Sequence, residues 1–354
     1  MLSLRDENAS TARLGAKMHR LPAFPRNRTG RHFDARPPRL VRPTPLRWDY
    51  NQAMTTRKVQ VHQVDAFTRE RFTGNPAGVV LNADGLTEAQ MLAIARELNN
   101  ADTAFILNSD GDDHTLRARF FTPRTEVGFV GHASVAAHYV LSRRHNAPRR
   151  QRQKSKAGIV DIEVRGQEED RSIAIRQNTP PIGRELNDRE RLAVLDSLAL
   201  ATDDLDPRCP LRIVGSSSTR LLIGVRSADV LKHLKPDVNR LTTLSAQVGA
   251  AGYFVFALSS GSGAHLTESR MFCPALGITE DPVSGNAHGL LGIYLARTGL
   301  LAREGTRVSF TGIQGHQLHR PGRVNVELEL KDGSIEGVWI IGQAVSIFET
   351  EIAL

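Results

Sequence analysis

One pattern occurs twice in this chain and restricts what it can fold into. Residues 121–141, FTPRTEVGFVGHASVAAHYVL, read F-x-P, a gap, G-H-A, and then an apolar helix carrying a tyrosine. Residues 272–294, FCPALGITEDPVSGNAHGLLGIY, read F-x-P, a slightly longer gap, G-N-A, and again an apolar helix with a tyrosine. A helix that is apolar on nearly every side has to be enclosed by other elements. Two such helices in a chain of 354 residues, long enough for two domains, point to two related halves.

The surrounding segments are mostly strand-like. KVQVHQVDAF alternates, GNPAGVVL is a turn running into an apolar strand, and TAFIL and TLRARFF read as strands. In the second half LRIVG, RLLIGV and YFVFAL do the same, followed by RVSF, RVNVELEL and SIEGVWIIGQAVSIFE, with KDGS as a hairpin turn. TEAQMLAIARELN is a helix with a capping box, Thr87 and Gln90, and puts Met91, Leu92, Ala95 and Leu98 on one face. LNDRERLAVLDSLAL and NRLTTLSAQVGA are further helices. Strands with one buried helix per half predict an α+β fold and not a doubly wound parallel sheet. No G-x-G-x-x-G follows a strand and there is no P-loop, so no nucleotide cofactor is expected.

The net charge of +8 suggests a nucleic-acid binder until it is divided. Residues 1–53 hold ten Arg and one Lys against Asp6, Glu7, Asp34 and Asp49. That leaves 35 basic and 34 acidic residues for the rest, so the body is nearly neutral and no nucleic-acid face is expected. Residues 1–53 are rich in Arg and Pro and are expected to be a disordered extension, with translation starting in the plainest reading at Met54. No run of some 18 apolar residues exists, so no membrane span is expected. Two cysteines, Cys209 and Cys273, make neither a metal cluster nor a disulfide framework, and a reduced, cytoplasmic setting follows.

The helix starts carry the chemistry. The first N–H groups of a helix lack partners within it, and the macrodipole makes that end partly positive. Glycine there permits close approach of a ligand, which suits a carboxylate or an enolate oxygen. A glycine before a helix is by itself only a turn, so the flanking groups decide. His132 follows Gly131 directly, Asp281 lies four residues before Gly285, and Asn286 and His288 follow it. Asp102, in NNADTAFIL, stands between a helix and a strand. Carboxylates, an imidazole and two positive helix ends are the means of moving a proton beside a carbonyl or carboxylate. Expected catalytic residues are Asp102, His132 and Asp281; Gly131, Ala133, Gly285, Asn286 and Ala287 are expected to bind substrate.

These motifs, together with VDAFTRERFTGNPAGVVL and GHQLHRPGRVNVEL, resemble the phenazine-biosynthesis PhzF-like family of the diaminopimelate epimerase fold group. The resemblance spans residues 57 to about 350. It implies two pseudosymmetric domains, each a mostly antiparallel sheet wrapped around a central helix, here 54–182 and 183–342, with strand 343–354 returning to the first domain. It implies a cofactor-free, metal-free site between them, isomerisation of a small anionic metabolite by proton shuttling, and a homodimer. The family's acid–base glutamate stands in an S-E-T motif, and here that place reads Ala101-Asp102-Thr103; its G-H-A histidine is His132 and its D-P-V acid is Asp281. Asn286 replaces the family's serine or threonine. Relatives that use paired thiols need a cysteine at each helix mouth, where this chain has Val130 and Ser284, so no two-thiol mechanism is expected. A non-catalytic small-anion binder of the same fold is the alternative.

Overall fold

The computed structural model describes residues 57–144, 149–216, 218–259, 267–303 and 305–354. The expectations for residues 1–53 lie outside the described residues. Met54–Leu354 forms one compact unit.

Its first half contains β1 (Lys58–Ala66), β2 (Asn75–Leu81), α1 (Glu88–Leu98), β3 (Asp102–Asn108), β4 (Leu116–Phe121), β5 (Glu126–Val127), α2 (Gly131–Ser142), β6 (Arg150–Ser155), β7 (Gly158–Arg165) and β8 (Ser172–Gln177). The second contains β9 (Ile182–Glu185), α3 (Asp188–Ser197), β10 (Arg212–Val214), β11 (Arg220–Val225), α4 (Ala228–His233), α5 (Val238–Val248), β12 (Tyr253–Leu258) and β13 (Thr267–Cys273). It continues through β14 (Ile278–Asp281), α6 (Gly285–Arg297), β15 (Arg307–Gln314), β16 (Gly322–Lys331) and β17 (Ser334–Gly342), and the chain closes with β18 (Ala344–Ala353).

The ladder repeats itself. In the first half β1 pairs antiparallel with β2, β2 parallel with β3, β3 antiparallel with β4, β4 parallel with β6, and β6, β7 and β8 follow antiparallel. In the second half β10, β11, β12, β13, β15, β16 and β17 follow in the same sequence of antiparallel and parallel pairings. The short β5 and β14 hang off β4 and β13. An antiparallel pairing of β8 with β17 joins the two halves. The outer strands are exchanged in chain order: β9, which follows the first half's last strand, pairs with β10, and β18, which follows the second half's, pairs with β1. The fold is α+β, with few helices and a predominantly antiparallel sheet.

Each half wraps its sheet around one helix. α2 buries Ala133, Val135, Ala136, Ala137 and Val140, and α6 buries nearly every residue from Ala287 to Ala296. Both belong to one core cluster with Phe120, Phe254, Phe256 and Phe310. Small residues make the enclosure fit: a Cβ on Gly292 would lie 2.9 Å from Val326 Cγ1 of β16.

The Thr87–Gln90 capping box forms, and Asp332 and Gly333 turn the KDGS hairpin with positive φ at both positions. Three differences from the sequence reading have physical causes. Asp102 is the first residue of β3 rather than part of a loop. SIEGVWIIGQAVSIFE is two strands, broken at Gln343, whose carbonyl accepts from Phe67 N at 2.7 Å. β6, RQRQKS, gives no apolar alternation because its inward residues are Gln151 and Gln153. Their place inside is matched by polar groups of α2: His138 Nε2 lies 2.9 Å from Gln153 Oε1, and Gln153 Nε2 donates to Ser134 Oγ at 3.1 Å.

Candidate active site

The repeated helix starts differ once seen in place. Val130, before α2, offers no side-chain cap, so the first N–H groups of that helix are left to other acceptors. Ser284, before α6, accepts from Ala287 N at 3.4 Å, and Ser284 N itself donates to Gln314 Oε1 at 3.1 Å. A Cβ on Gly131 would meet nothing within 4 Å. A Cβ on Gly285 would lie 2.7 Å from Phe67 Cζ and 2.9 Å from Ile340 Cγ2. The first glycine leaves room at the helix mouth, whereas the second is needed for packing.

Asp102 is only 7% exposed and forms no ion pair shorter than its 3.7 Å approach to His132 Nε2. Burial, and then the neighbouring charge of Asp281, push its carboxyl up to about 7. Asp281 ends β14 and is partly buried. Burial raises it to about 6, against the stabilising effects of the Asn75 hydrogen bond and the Arg220 charge. Asn75 Nδ2 donates to Asp281 Oδ1 at 2.7 Å and to the Val283 carbonyl at 2.9 Å, so the start of β2 holds the loop leading into α6. Gln314 Nε2 donates to the Asp281 carbonyl at 2.6 Å.

His132 is pushed down by burial to about 4, which leaves it neutral at physiological pH. Its Nε2 has no hydrogen-bond partner among the described residues, and neither does Asn286 Oδ1. Buried polar atoms are rarely left so, and both belong to the turn that opens a buried helix. Two coupled acids with raised pKa values, a neutral imidazole and the uncapped start of α2 give a proton-accepting group poised near neutrality beside donors for a negative oxygen.

Asp102, His132 and Asp281 therefore come together, with Gly131, Gly285 and Asn286 at the helix starts. Other expected or adjacent residues fall elsewhere. Ala133 and Ala287 are fully buried, so their side chains pack the core. His288 faces the sheet: Nδ1 lies 2.7 Å from the Ser284 carbonyl, and its ring meets Phe254 edge-on at 5.1 Å. Cys209 and Cys273 are buried and both thiols are pushed up to about 12, which suppresses thiolate formation.

Sequence reasoning gave no role to Asn75, Gln314 or Arg320. Arg320 Nη2 donates to Asp65 Oδ1 at 2.6 Å and to the Thr73 carbonyl at 3.0 Å, while Nε donates to the Gly74 carbonyl at 3.0 Å. It thereby pins the turn that presents Asn75. The signal available was the polar pair Gly-Asn directly before an otherwise apolar strand.

A twofold-repeated ladder wound around two central helices, with the acids at their openings, is the diaminopimelate epimerase-like fold. The phenazine biosynthesis-like protein family matches residues 64–350, and the chain belongs to that family. It is 39% identical over 299 residues to an uncharacterized isomerase of Clostridium acetobutylicum, covering 84% of this chain and 99% of the relative. It is 29% identical over 297 residues to the trans-2,3-dihydro-3-hydroxyanthranilate isomerase of Pseudomonas fluorescens, covering 82% and 98%. The crystal structure of the Bacillus anthracis phenazine biosynthesis protein of the PhzF family superposes with a TM-score of 0.75 at 30% identity, over 84% of this chain and all of that one. The chain is an isomerase of the PhzF-like kind.

Proposed function

We propose that this isomerase moves a proton on a small carboxylate-bearing metabolite, without a cofactor, using Asp102 as both base and acid. The Asp102 carboxylate takes a proton from a carbon next to a carbonyl or carboxylate. The electron pair left behind moves onto that group's oxygen, which the N–H groups at Gly131 and His132 face as hydrogen-bond donors. The Asp102 carboxylic acid then returns the proton to a different carbon, so the atoms balance and the product is an isomer. Neutral His132 positions the substrate or passes the proton, and Asp281 keeps the Asp102 carboxyl from becoming too weak a base.

The observation that carries this reading is the position of Asp102: buried, with only the neutral His132 imidazole 3.7 Å away as an ion-pair contact among the described residues, and raised to about 7 beside a second acid. A group that exchanges its proton near the working pH is the most effective acid–base catalyst there. The Pseudomonas fluorescens relative is named for an isomerisation, which supports the reaction class.

The test is a metabolite pool incubated in deuterated water and read by mass spectrometry. The wild-type protein is expected to place a deuteron on at least one carboxylate. Asp102→Asn should slow that exchange by about a hundredfold or more while ligand affinity stays nearly unchanged. Exchange that persists in Asp102→Asn removes Asp102 from the role, and a pool in which no carboxylate gains a deuteron contradicts the reading itself.

A further inference from the structure

The two halves stop being equivalent where their strands reach the helix mouths. Phe121 pairs with Thr103 and Phe272 with Tyr253, which matches these positions of the repeat. Gly78 pairs with Thr103 and Leu221 with Tyr253. One residue earlier, Ala77 stands opposite Asp102 in the first half. The corresponding residues of the second half are Arg220 and Gly252, whose carbonyl accepts from Leu221 N at 2.9 Å. An acid beside an alanine in one half thus becomes a guanidinium beside a glycine in the other.

Arg220 is only 7% exposed. Its Nη1 donates to the neighbouring Thr219 carbonyl at 2.9 Å, and its Nε has no partner. Arg270 in the same half is equally buried, yet it is held by Glu280 through two 2.8 Å hydrogen bonds and by the Leu231 carbonyl at 2.9 Å. Arg320 has Asp65. Arg220 has no such counter-ion among the described residues, and a buried charge without one is costly. Gly252 is packed against β13, since a Cβ there would lie 2.6 Å from Cys273 Sγ, and β13 pairs Cys273 with Ile278 and Met271 with Asp281, which carries the end of the Arg220 strand toward the second acid. The Arg220 charge reaches both Cys273 and Asp281, and Asp281 in turn reaches Asp102. Arg220 therefore belongs to the same cluster as the acids, entering from the second half.

We propose that Arg220 is the substrate-binding residue that supplies a missing counter-ion from the ligand: its planar fork takes a carboxylate of the substrate, placed away from the carbon that Asp102 deprotonates. This rests on the isomerase reading of the site. It narrows the substrate to an acid whose carboxylate is anchored by the second half while its reacting carbon lies toward the first. Charge that develops during the reaction falls to the start of α2, and the permanent charge falls to Arg220.

The probes are oxalate, malonate and succinate, with inorganic phosphate as a contrast, added to the full chain and followed by thermal stabilisation and calorimetry. At least one of the three acids is expected to stabilise the wild type. Arg220→Gln should raise its half-saturating concentration at least about tenfold, and Arg220→Lys, which keeps the charge without the fork, should recover part of the loss. Arg220→Gln should fold at least as stably as the wild type when no ligand is added, because it removes an unpaired buried charge. The oxalate measurement is repeated at pH 5, where Asp281 is largely protonated with or without Arg220. A loss that persists there is the loss of an anchor; a loss that disappears there assigns Arg220 to tuning Asp281 and overturns the proposal. Equal binding by Arg220→Gln, no stabilisation of the wild type by any of the three acids, or tighter binding of phosphate than of all of them also overturns it. The deuterium experiment separates the two readings. Exchange that depends on Asp102, with binding indifferent to Arg220, sinks the anchor alone. Binding that depends on Arg220, with no exchange, sinks the isomerase mechanism alone.

Discussion

At the scale of single residues the site depends on one carboxyl group being kept from full ionisation. Asp102 is buried and has no ion pair within hydrogen-bond distance among the described residues, and Asp281 adds a like charge beside it. Asp281, by contrast, accepts a hydrogen bond from Asn75 and feels Arg220, so it is the stronger acid of the pair. His132 and Asp281 were legible because each stands in or next to the recurring motif that opens a helix, and Asp102 because it stands where the resembled family has its acid–base glutamate. Asn75, Gln314 and Arg220 were not. Asn75 and Asp281 are 206 residues apart, and a hydrogen bond across that separation leaves no local trace. Arg220 begins an apolar strand, RLLIGV, where an arginine reads as an ordinary strand end until its burial and missing partner are seen. Ala133 and Ala287, expected to bind substrate, have side chains buried in the core, so only their backbone is left to face a ligand.

At the scale of elements the repeat predicted two enclosed helices, and α2 and α6 are those helices. The motif does not reveal that the two glycines serve different ends. Gly285 is pressed against Phe67 and Ile340, and Gly131 faces open space. Gly285→Ala should therefore cost about 1–3 kcal/mol by overpacking, while Gly131→Ala should change stability by no more than about 0.5 kcal/mol. Urea denaturation of both variants checks this, and an equal loss in the two would contradict the asymmetry. β6 shows the limit of periodicity: its alternation is present in burial and absent in hydropathy, because glutamine is its inward residue and His138 and Ser134 satisfy it. The strand order was out of reach for a related reason. The return of β18 to β1 is the exception, implied for residues 343–354 by the family resemblance, whereas the pairing of β9 with β10 is set by which edges remain open once the rest has paired.

At the scale of the whole molecule the buried ionisable groups set how stability depends on pH. Burial pushes His132, His138 and His288 down to about 4, while Asp102 and Asp281 rise to about 7 and about 6. Between pH 4 and 6 the unfolded chain holds three histidine protons that the native state lacks, and the native state holds two carboxyl protons that the unfolded chain lacks. The smaller shifts of His62, downward, and Asp65, upward, oppose each other. One net proton favours the unfolded state, so stability should rise with pH over this range by about 1.4 kcal/mol per unit. From about pH 6 to 7.5 the unfolded histidines, at their ordinary value of 6.5, release their protons and the rise flattens, because the histidine contribution is increasingly offset by that of the two acids. Their folded pKa values are raised, so their contribution is full at low pH and is lost as pH rises through about 7. Thermal unfolding from pH 4 to 8 should show a midpoint that rises and then levels off at about pH 7 to 7.5; a midpoint that falls steadily from pH 5 to 8 would contradict these burials.

The central claim is that one buried carboxyl group exchanges its proton near neutrality. Carbon-13 NMR of protein labelled at the aspartate carboxyl carbon tests it most directly. The predicted result is a titration step near pH 7, belonging to the coupled Asp102–Asp281 pair, that disappears in Asp102→Asn. A spectrum in which every aspartate titrates near pH 4 would contradict it.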